Sequence, residues 1–329
     1  MAPLVAVIVL AVARSFDAAT WAAPAQGSKP VSTDTIREVA VTFDDLPAVS
    51  VAKGDPTSLA LFTDRLLANF SANKVPIVGF VNQIKMTIPG ETLDVQAARI
   101  DLLNKWLDQG IELGNHTYSH RSLNQLPIEE FEADVVRGES AMSALMVSRK
   151  QTLRYFRHPF LQVGLDFNKR QAFEAWLKAR GYTVAPVTMD NDEYIFAAVY
   201  ANAVKANDTV RASRTAEAYL TYMAKTFDFQ EDLSQSLFGR PIRHVLLLHA
   251  NELNADHVGK LFAMMRQRGY QFVTLARALE DAAYQSPDTY VGGFGISWLH
   301  HWELTMGRRR TGSPDPPAWI TEAYEKSRP

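Results

Sequence analysis

Short apolar runs alternate along the chain with longer segments in which hydrophobic residues recur at helical spacing. The apolar runs predict seven strands: Glu38–Phe43, Pro76–Val81, Ile111–Gly114, Leu153–Phe156, Thr183–Val187, His244–Leu248 and Gln271–Thr274. The longer segments predict helices over Thr57–Ala72, Leu93–Gln109, Pro127–Val147, Asn168–Arg180, Ala212–Phe227 and Ala255–Arg268. Strand–helix alternation is typical of a parallel sheet with right-handed crossovers. We therefore expect an α/β fold, either an open doubly wound sheet or a barrel.

Three of the predicted helices are followed by Gly110, Gly181 and Gly269. Glycine is the usual residue just after a helix, where the backbone turns left-handed. The spacing becomes irregular between Tyr194 and Pro241, so we expect an insertion over 195–240. We expect the regular domain to cover 37–286 and a C-terminal extension to cover 287–329. The aromatic stretch Phe294–Trp302 either lines a groove or docks the extension onto the domain, and the helical spacing of its tryptophans favours docking.

The composition excludes several classes of protein. The chain has 329 residues, 47% of them hydrophobic and 21% charged, which is typical of a globular protein. The net charge of -2 argues against a dedicated nucleic-acid binder. The chain contains no cysteine, which excludes disulfides, thiolate metal sites and cysteine nucleophiles.

The N-terminus resembles a secretory signal peptide. The apolar run Met1–Ala13 is too short to span a bilayer stably, and Ala23–Ala25 offers a small-residue cleavage site. We expect a signal peptide over 1–25 and a linker over 26–36. The processed protein would then be secreted or periplasmic, without a stable membrane anchor.

Polar residues follow the predicted strands, where the carboxyl ends of parallel strands form the functional edge of such folds. Asp44 and Asp45 follow the first strand, and as a pair they indicate either cation binding or an ordinary turn. His116 and His120 follow the third strand. At i and i+4 they would lie on one face of a helical turn and could reach a single divalent metal, or they could be two surface histidines.

Charged or polar residues also stand at the ends of three further predicted strands. Arg157 follows the fourth strand, the acidic stretch Asp190–Tyr194 follows the fifth, and His249 closes the sixth. A buried arginine can hold a carboxylate in one orientation, and a histidine at a strand end can act as a general acid or base. Each residue taken alone also fits an ordinary structural role. Their convergence on one sheet edge indicates a reaction site.

Taken in order, these motifs resemble the polysaccharide deacetylase superfamily (carbohydrate esterase family four, the NodB homology domain). The matching motifs are TFDD at Thr42–Asp45, HTYSH at His116–His120, FRHPF at Phe156–Phe160 and LLLH at Leu246–His249. The resemblance implies a distorted, incomplete (β/α) barrel of about seven parallel strands. It also implies metal-dependent removal of an N- or O-acetyl group.

By this resemblance, Asp44 is the catalytic base, and Asp45, His116 and His120 are the metal ligands. The expected metal is zinc, with cobalt, nickel or manganese as alternatives. Arg157 resembles the arginine that orients the base. We expect the pKa of Asp44 to be held low by the metal and by Arg157.

The remaining roles concern the acyl group and the leaving group. The resemblance makes the amide of Phe160 the oxyanion donor, Leu247 a wall of the acetyl pocket and His249 the general acid. Glu193 would orient His249, and Tyr194 would provide a flat wall. Two motifs depart from the family pattern: His158 stands where a proline is usual, and Glu193-Tyr194 stands where Asp-Trp is usual.

The resemblance implies an acetylated carbohydrate as substrate, such as peptidoglycan, a chitin oligosaccharide or an extracellular polysaccharide, and no nucleic-acid partner. Two other functions stay open. The protein could be an inactive deacetylase-like glycan-binding protein, or a metal amidase acting on small non-sugar amides.

Overall fold

The computed structural model describes residues 37–49 and 55–327. The predicted signal peptide over 1–25 and the linker over 26–36 lie outside the described residues. Within the described part of the chain, no helix is both long and apolar enough to cross a membrane.

Seven strands form one parallel sheet, each close to its predicted position. They are β1 (Arg37–Leu46), β2 (Ile77–Val81), β3 (Glu112–Asn115), β4 (Tyr155–Phe156), β5 (Thr183–Val184), β6 (His244–His249) and β7 (Tyr270–Phe272). The strand order is β5-β4-β3-β2-β1-β6, and β7 pairs with the first residues of β1.

The sheet curls far enough for its two ends to meet at one point. Beyond β5 the chain continues to Met189, which forms an isolated parallel bridge with Leu246 of β6. The Met189 amide donates to the Val245 carbonyl at 2.9 Å, and the Leu247 amide donates to the Met189 carbonyl at 3.3 Å. This single bridge, in place of a full strand pairing, makes the structure a distorted, incomplete (β/α) barrel, which confirms the predicted fold.

Ten α-helices lie in the described residues. They are α1 (Pro56–Asn73), α2 (Leu93–Asp108), α3 (Ile128–Val147), α4 (Phe167–Ala179), α5 (Glu193–Lys205), α6 (Thr209–Phe238), α7 (Glu252–Gln267), α8 (Leu275–Leu279), α9 (Trp298–Thr305) and α10 (Ala318–Glu325). Asp55 caps α1 by accepting the amides of Thr57 and Ser58 at 3.1 and 3.0 Å. The glycines predicted to end helices, Gly110, Gly181 and Gly269, have positive φ of 74°, 82° and 84°.

Side-chain alternation along β1 separates the core from the site. Val39, Val41 and Phe43 pack in the large core between the sheet and the outer helices. Ala40 packs in a separate buried cluster with residues of β2, β4 and β6, which is the interior of the barrel. Thr42 and Asp44 follow on that inner face. The same alternation of side chains that points Ala40 into the barrel therefore places Asp44 at the open end of the barrel.

Helices α5 and α6 occupy most of the predicted insertion, and α9 and α10 lie in the predicted extension. Sequence periodicity missed α5, α8 and α10, and it ended α6 at Phe227 instead of Phe238. Trp298, Leu299 and Trp302 of α9 are buried, so this part of the aromatic stretch docks onto the domain, whereas Phe294 is 78% exposed. In α10, Ile320 is fully buried.

The buried histidines make stability sensitive to acid. Burial lowers the pKa of His244 in β6 to about 3, while an unfolded histidine has a pKa of about 6.5. Between these values only the unfolded state takes up the proton, so stability is full above pH 6.5 and falls as the pH drops toward 3. Urea unfolding at pH 7.5 and pH 5 should show a loss of about 2 kcal/mol from this group.

His244→Asn is the matched variant, because its amide can keep the contact with Thr188 Oγ1 that His244 Nδ1 makes at 3.2 Å. The pH dependence of its unfolding free energy should be smaller than that of the parent by the same amount. An unchanged pH dependence would contradict this account of the buried imidazole.

Candidate metal and reaction site

A bulge at the end of β1 places both aspartates on the same side of the strand. The register with β2 shifts between Phe43 and Leu46, and Asp45 has a φ of 68°. This left-handed residue interrupts the alternation of side chains. Asp44 Oδ2 and Asp45 Oδ1 therefore both approach His116 Nε2, at 3.8 and 3.9 Å.

A loop, not a helical turn, brings the two histidines together. The expectation that His116 and His120 share a helix face is wrong, because Thr117 and His120 have φ values of 64° and 58°. Asn115 Oδ1 accepts the Thr117 amide at 2.9 Å, and Thr117 Oγ1 accepts the His120 amide at 3.0 Å. The loop nevertheless brings the rings of His116 and His120 close together, as predicted, with their centroids 4.8 Å apart.

Asp45, His116 and His120 fit a divalent cation. One ligand atom from each lies within 4.8 Å of the others. Asp45 Oδ1 is 3.4 Å from His120 Nε2, and it is buried with no hydrogen-bond partner in the described parts of the chain. The carbonyl of Arg157 lies 2.9 Å from His116 Nδ1, which leaves Nε2 toward the carboxylate.

The protonation states of Asp45, His116 and His120 also suit the binding of a cation. Burial lowers the pKa of both His116 and His120, which favours neutral imidazoles. Although burial opposes it, the charge of Lys85 holds the pKa of Asp45 below its usual range. Two neutral imidazoles and one carboxylate are a donor set typical of catalytic zinc, with coordination positions left for water or substrate.

Arg157 contacts the second carboxylate. It is fully buried, and its Nη1 lies 3.3 Å from Asp44 Oδ2 while its Nη2 donates to Thr42 Oγ1 at 3.0 Å. Burial nevertheless raises the pKa of Asp44 to about 6, against the opposing charges of Arg157 and His249. Arg157 does lower this pKa, as expected, but without the metal the cost of desolvating the carboxylate is larger. The low pKa expected with the metal bound stays a prediction.

His249 lies beside Asp44 in the neighbouring strand, since the two residues are paired in the β1–β6 register. Its Nδ1 is 2.8 Å from Glu193 Oε2 at the first turn of α5. Burial alone would lower the pKa of His249, but the hydrogen bond and charge of Glu193, with the charges of Asp45 and Asp44, raise it to about 9. The imidazolium is thus the favoured form at neutral pH.

Sequence reasoning missed the residues that hold Glu193. Its Oε1 accepts from the side-chain amides of Asn251 and Asn254, the latter at 2.7 Å. Tyr219 of α6 donates to Asn254 Oδ1 at 3.1 Å. Their positions in the sequence could have indicated this role, because both asparagines lie within five residues of His249 at the end of β6.

Lys85 is a second residue that sequence reasoning missed. It follows β2 at the same sheet edge, and its Nζ donates to the Asp45 carbonyl at 3.0 Å and lies 3.5 Å from Asp45 Oδ1. It thereby fixes the left-handed residue that carries the carboxylate. A lysine directly after a buried strand was the available signal.

The predicted residues of the acyl pocket line one cavity of about 630 Å³ together with the carboxylates and histidines. Phe160, Leu247 and Tyr194 all face this cavity, and Phe160 and Tyr194 are 53% and 45% exposed. Its volume is in the range of sites for small ligands. Tyr324 of α10 closes the cavity near Tyr194, with ring centroids 5.9 Å apart.

The backbone at Phe160 is left-handed, with a φ of 57°. Gly295 packs directly against it, and a Cβ added at Gly295 would overlap the Phe160 carbonyl oxygen. His158, the departure from the family motif, is buried and points away into the aromatic cluster, where its ring lies 5.1 Å from that of Phe156.

Two kinds of comparison relate the chain to known proteins. The family model described as Polysaccharide deacetylase matches residues 32–182. The chain is similar to the solved structure of a family 4 carbohydrate esterase from Bacillus anthracis, with 17% identity over 74% of this chain and 83% of that chain and a TM-score of 0.45. It is also similar to the peptidoglycan deacetylase PdaC from Bacillus subtilis, with 16% identity over 75% of this chain and 91% of that chain and a TM-score of 0.45.

A CE4 family pseudoenzyme from Bacillus anthracis is similar as well, with 12% identity over 75% of this chain and 66% of that chain and a TM-score of 0.46. The segment that matches the family model contains β1 to β4, and with them both aspartates, both histidines and Arg157. Glu193 and His249 lie beyond that segment, on α5 and β6 of the same barrel. Over residues 32–182, the chain matches the polysaccharide deacetylase family.

Proposed function

We propose that this protein is a metal-dependent deacetylase that hydrolyses N-acetyl or O-acetyl groups on a carbohydrate. One observation carries the proposal: Asp45, His116 and His120 converge within 4.8 Å, and Asp44 and His249 flank them in the same cavity. This combines a cation site, a free carboxylate and a protonated imidazole. Metal-assisted hydrolysis of an amide or ester can use these three components as Lewis acid, general base and general acid.

Asp45, His116 and His120 would hold the metal, with zinc as the proposed ion and cobalt, nickel or manganese as alternatives. When bound, such an ion acidifies a water molecule and polarises the acyl oxygen. Asp44, oriented by Arg157, would take the proton of the attacking water. The oxygen that gains negative charge would face the backbone N–H of Phe160, a residue that lines the cavity.

His249 would complete the reaction. As the carbon–nitrogen or carbon–oxygen bond breaks, the imidazolium donates its proton to the leaving amine or alcohol. Glu193 keeps the ring in place, and the two asparagine amides keep Glu193 in place. Leu247 would line the methyl pocket, and Phe160 and Tyr194 would offer aromatic faces to the sugar.

The test is acetate release by the full chain. We expect protein stripped with a chelator to release no acetate from N-acetylglucosamine oligosaccharides, and added Zn²⁺ or Co²⁺ to restore release. Equal release by stripped protein would contradict the metal-dependent reaction. Cleavage of small acetamides without cleavage of sugars would instead support an amidase, and glycan binding without acetate release would support an inactive binding protein.

The position of Phe160 gives a separate prediction. A Cβ at Gly295 would overlap the Phe160 carbonyl oxygen, so Gly295→Ala should shift the backbone of Phe160, its N–H included. We expect kcat to fall by up to the roughly 10²-fold that an oxyanion donor contributes. Gly293→Ala is the matched control, since a Cβ there meets no atom within 4 Å. Acetate release and thermal unfolding of both variants check this. Equal kcat in the two variants would remove the Phe160 amide from its role.

A further inference from the structure

A second cavity, of about 520 Å³, adjoins the reaction cavity. The two share Asp190, Asn191, Asp192 and Gly295 as lining residues. The other walls of the second cavity come from α6 and from residues 310–315 of the C-terminal extension. These segments lie outside the part of the chain that matches the family model. All residues that line the second cavity therefore lie beyond the segment that matches the family model.

Negative charge predominates in the second cavity. Three carboxylates line it, those of Asp190, Asp192 and Asp315, against the single guanidinium of Arg310. Burial and the neighbouring charge of Asp192 raise the pKa of Asp190 to about 7. Burial and the charge of Asp315 raise the pKa of Asp192. A cation entering the cavity would offset both the desolvation and the mutual repulsion of these groups.

An unpaired hydroxyl lies in the same wall. Thr226 of α6 lines the second cavity and is 2% exposed, and its Oγ1 has no hydrogen-bond partner among residues 37–49 and 55–327. Its neighbour Tyr222 is already engaged, because the Tyr222 hydroxyl accepts the Asp192 amide at 2.9 Å. A buried hydroxyl without a partner costs free energy, which a ligand that donates a hydrogen bond would recover.

We propose that the second cavity binds an ammonium group on the part of the substrate that does not react. The inference rests on the proposed deacetylase function, because removal of an N-acetyl group turns a neutral amide into an ammonium. A glycan that has lost one acetyl group carries that cation near an amide still to be cleaved. The preferred substrate is therefore an amino-sugar oligosaccharide with a free amine on a sugar next to the acetylated one.

The test compares three substrates of equal length with the metal-loaded full chain. One is the fully N-acetylated trisaccharide of glucosamine, and the others carry one free amine, at either end. We expect kcat/KM for one amine-bearing trisaccharide to exceed that for the fully acetylated one by about tenfold at low salt, mainly through KM. Raising the ionic strength should reduce the preference, since the attraction is electrostatic.

Asp192→Asn and Asp315→Asn should each bring the ratio of kcat/KM values toward one. Asp232→Asn is the matched control, because it removes an exposed carboxylate from α6 that does not line the cavity, and it should keep the parent ratio. Equal kcat/KM for the three substrates in the parent protein would overturn the inference. A preference that persists in both cavity variants would also overturn it.

A binding measurement separates this inference from the proposed function. The fully deacetylated trisaccharide has no acetyl group to release, so its affinity can be measured by calorimetry whether or not the protein is an active deacetylase. We expect salt-sensitive binding that weakens in Asp315→Asn and persists in Asp232→Asn. Absence of acetate release with intact binding would reject only the deacetylase function. Absence of this binding would reject the ammonium site.

Discussion

Replacing Asp44 by asparagine is expected to lower kcat for acetate release by about 10²–10⁴-fold, the usual contribution of a general base. Asparagine keeps the size of the side chain but cannot take a proton from water. The Asp44 carboxylate is suited to that transfer because it is buried, accepts from Arg157 Nη1 at 3.3 Å and lies beside the three candidate metal ligands. A pH-stat or enzymatic acetate assay on the zinc-loaded variant measures the loss.

The neighbouring aspartate supplies the control for this variant. Asp44→Asn should keep one zinc ion per chain by elemental analysis, whereas Asp45→Asn should lose most of its zinc. Thermal unfolding shows whether Arg157, left without a carboxylate, has destabilised the barrel. If Asp44→Asn retains full activity, Asp44 is not the base. If it loses the metal, the division of roles between the two aspartates is wrong.

Removing His120 should weaken zinc binding by at least about 10²-fold. In the proposed site His120 would provide one of three ligand atoms, and losses of 10–100-fold are usual even for residues that only orient a ligand. Its side chain is 25% exposed and its ring contacts that of Phe160 at a tilt, so His120→Ala should leave the buried core intact. Titration of metal-free protein against a competing chelator measures the affinity.

His257→Ala is the matched control for the loss of a histidine. This residue lies on α7 and contacts the ring of Tyr200, away from the reaction cavity. We expect its zinc affinity and acetate release to equal those of the parent protein. Unchanged zinc stoichiometry and affinity in His120→Ala would reject the ligand set on which the proposed function depends.

The departures from the family motif are explained by different parts of the structure. His158 replaces a usual proline and is accommodated in the aromatic cluster around Phe156, so it leaves the cavity unchanged in character. Glu193 replaces a usual aspartate and reaches His249 from the first turn of a helix. A glutamate can stand in for an aspartate here because the hydrogen bond to the imidazole constrains the position of the carboxylate. It does not constrain the number of methylene groups that carry the carboxylate.

Sequence periodicity predicted every strand of the sheet because each is a short apolar run whose burial can be inferred locally. It missed α5 because Glu193–Lys205 is buried on several sides and lacks a clear polar stripe. It missed α10 because proline and charged residues around it are typical of a tail. In both helices, contacts with distant segments outweigh the local pattern.

The hydrophobic pattern and the motifs of the chain are enough to infer the order of strands and helices, the sheet edge on which the chemistry would lie, and the residue types available there. How these residues meet depends on the folded chain. Left-handed residues at Asp45 and His120 turn the ligands toward one point, Lys85 and Asn254 hold their neighbours in place, and Gly295 makes room for the Phe160 peptide. The physical reason is that hydrophobic periodicity records local burial. Positive φ angles, orienting hydrogen bonds and the walls of a cavity depend on atoms that lie far away along the chain.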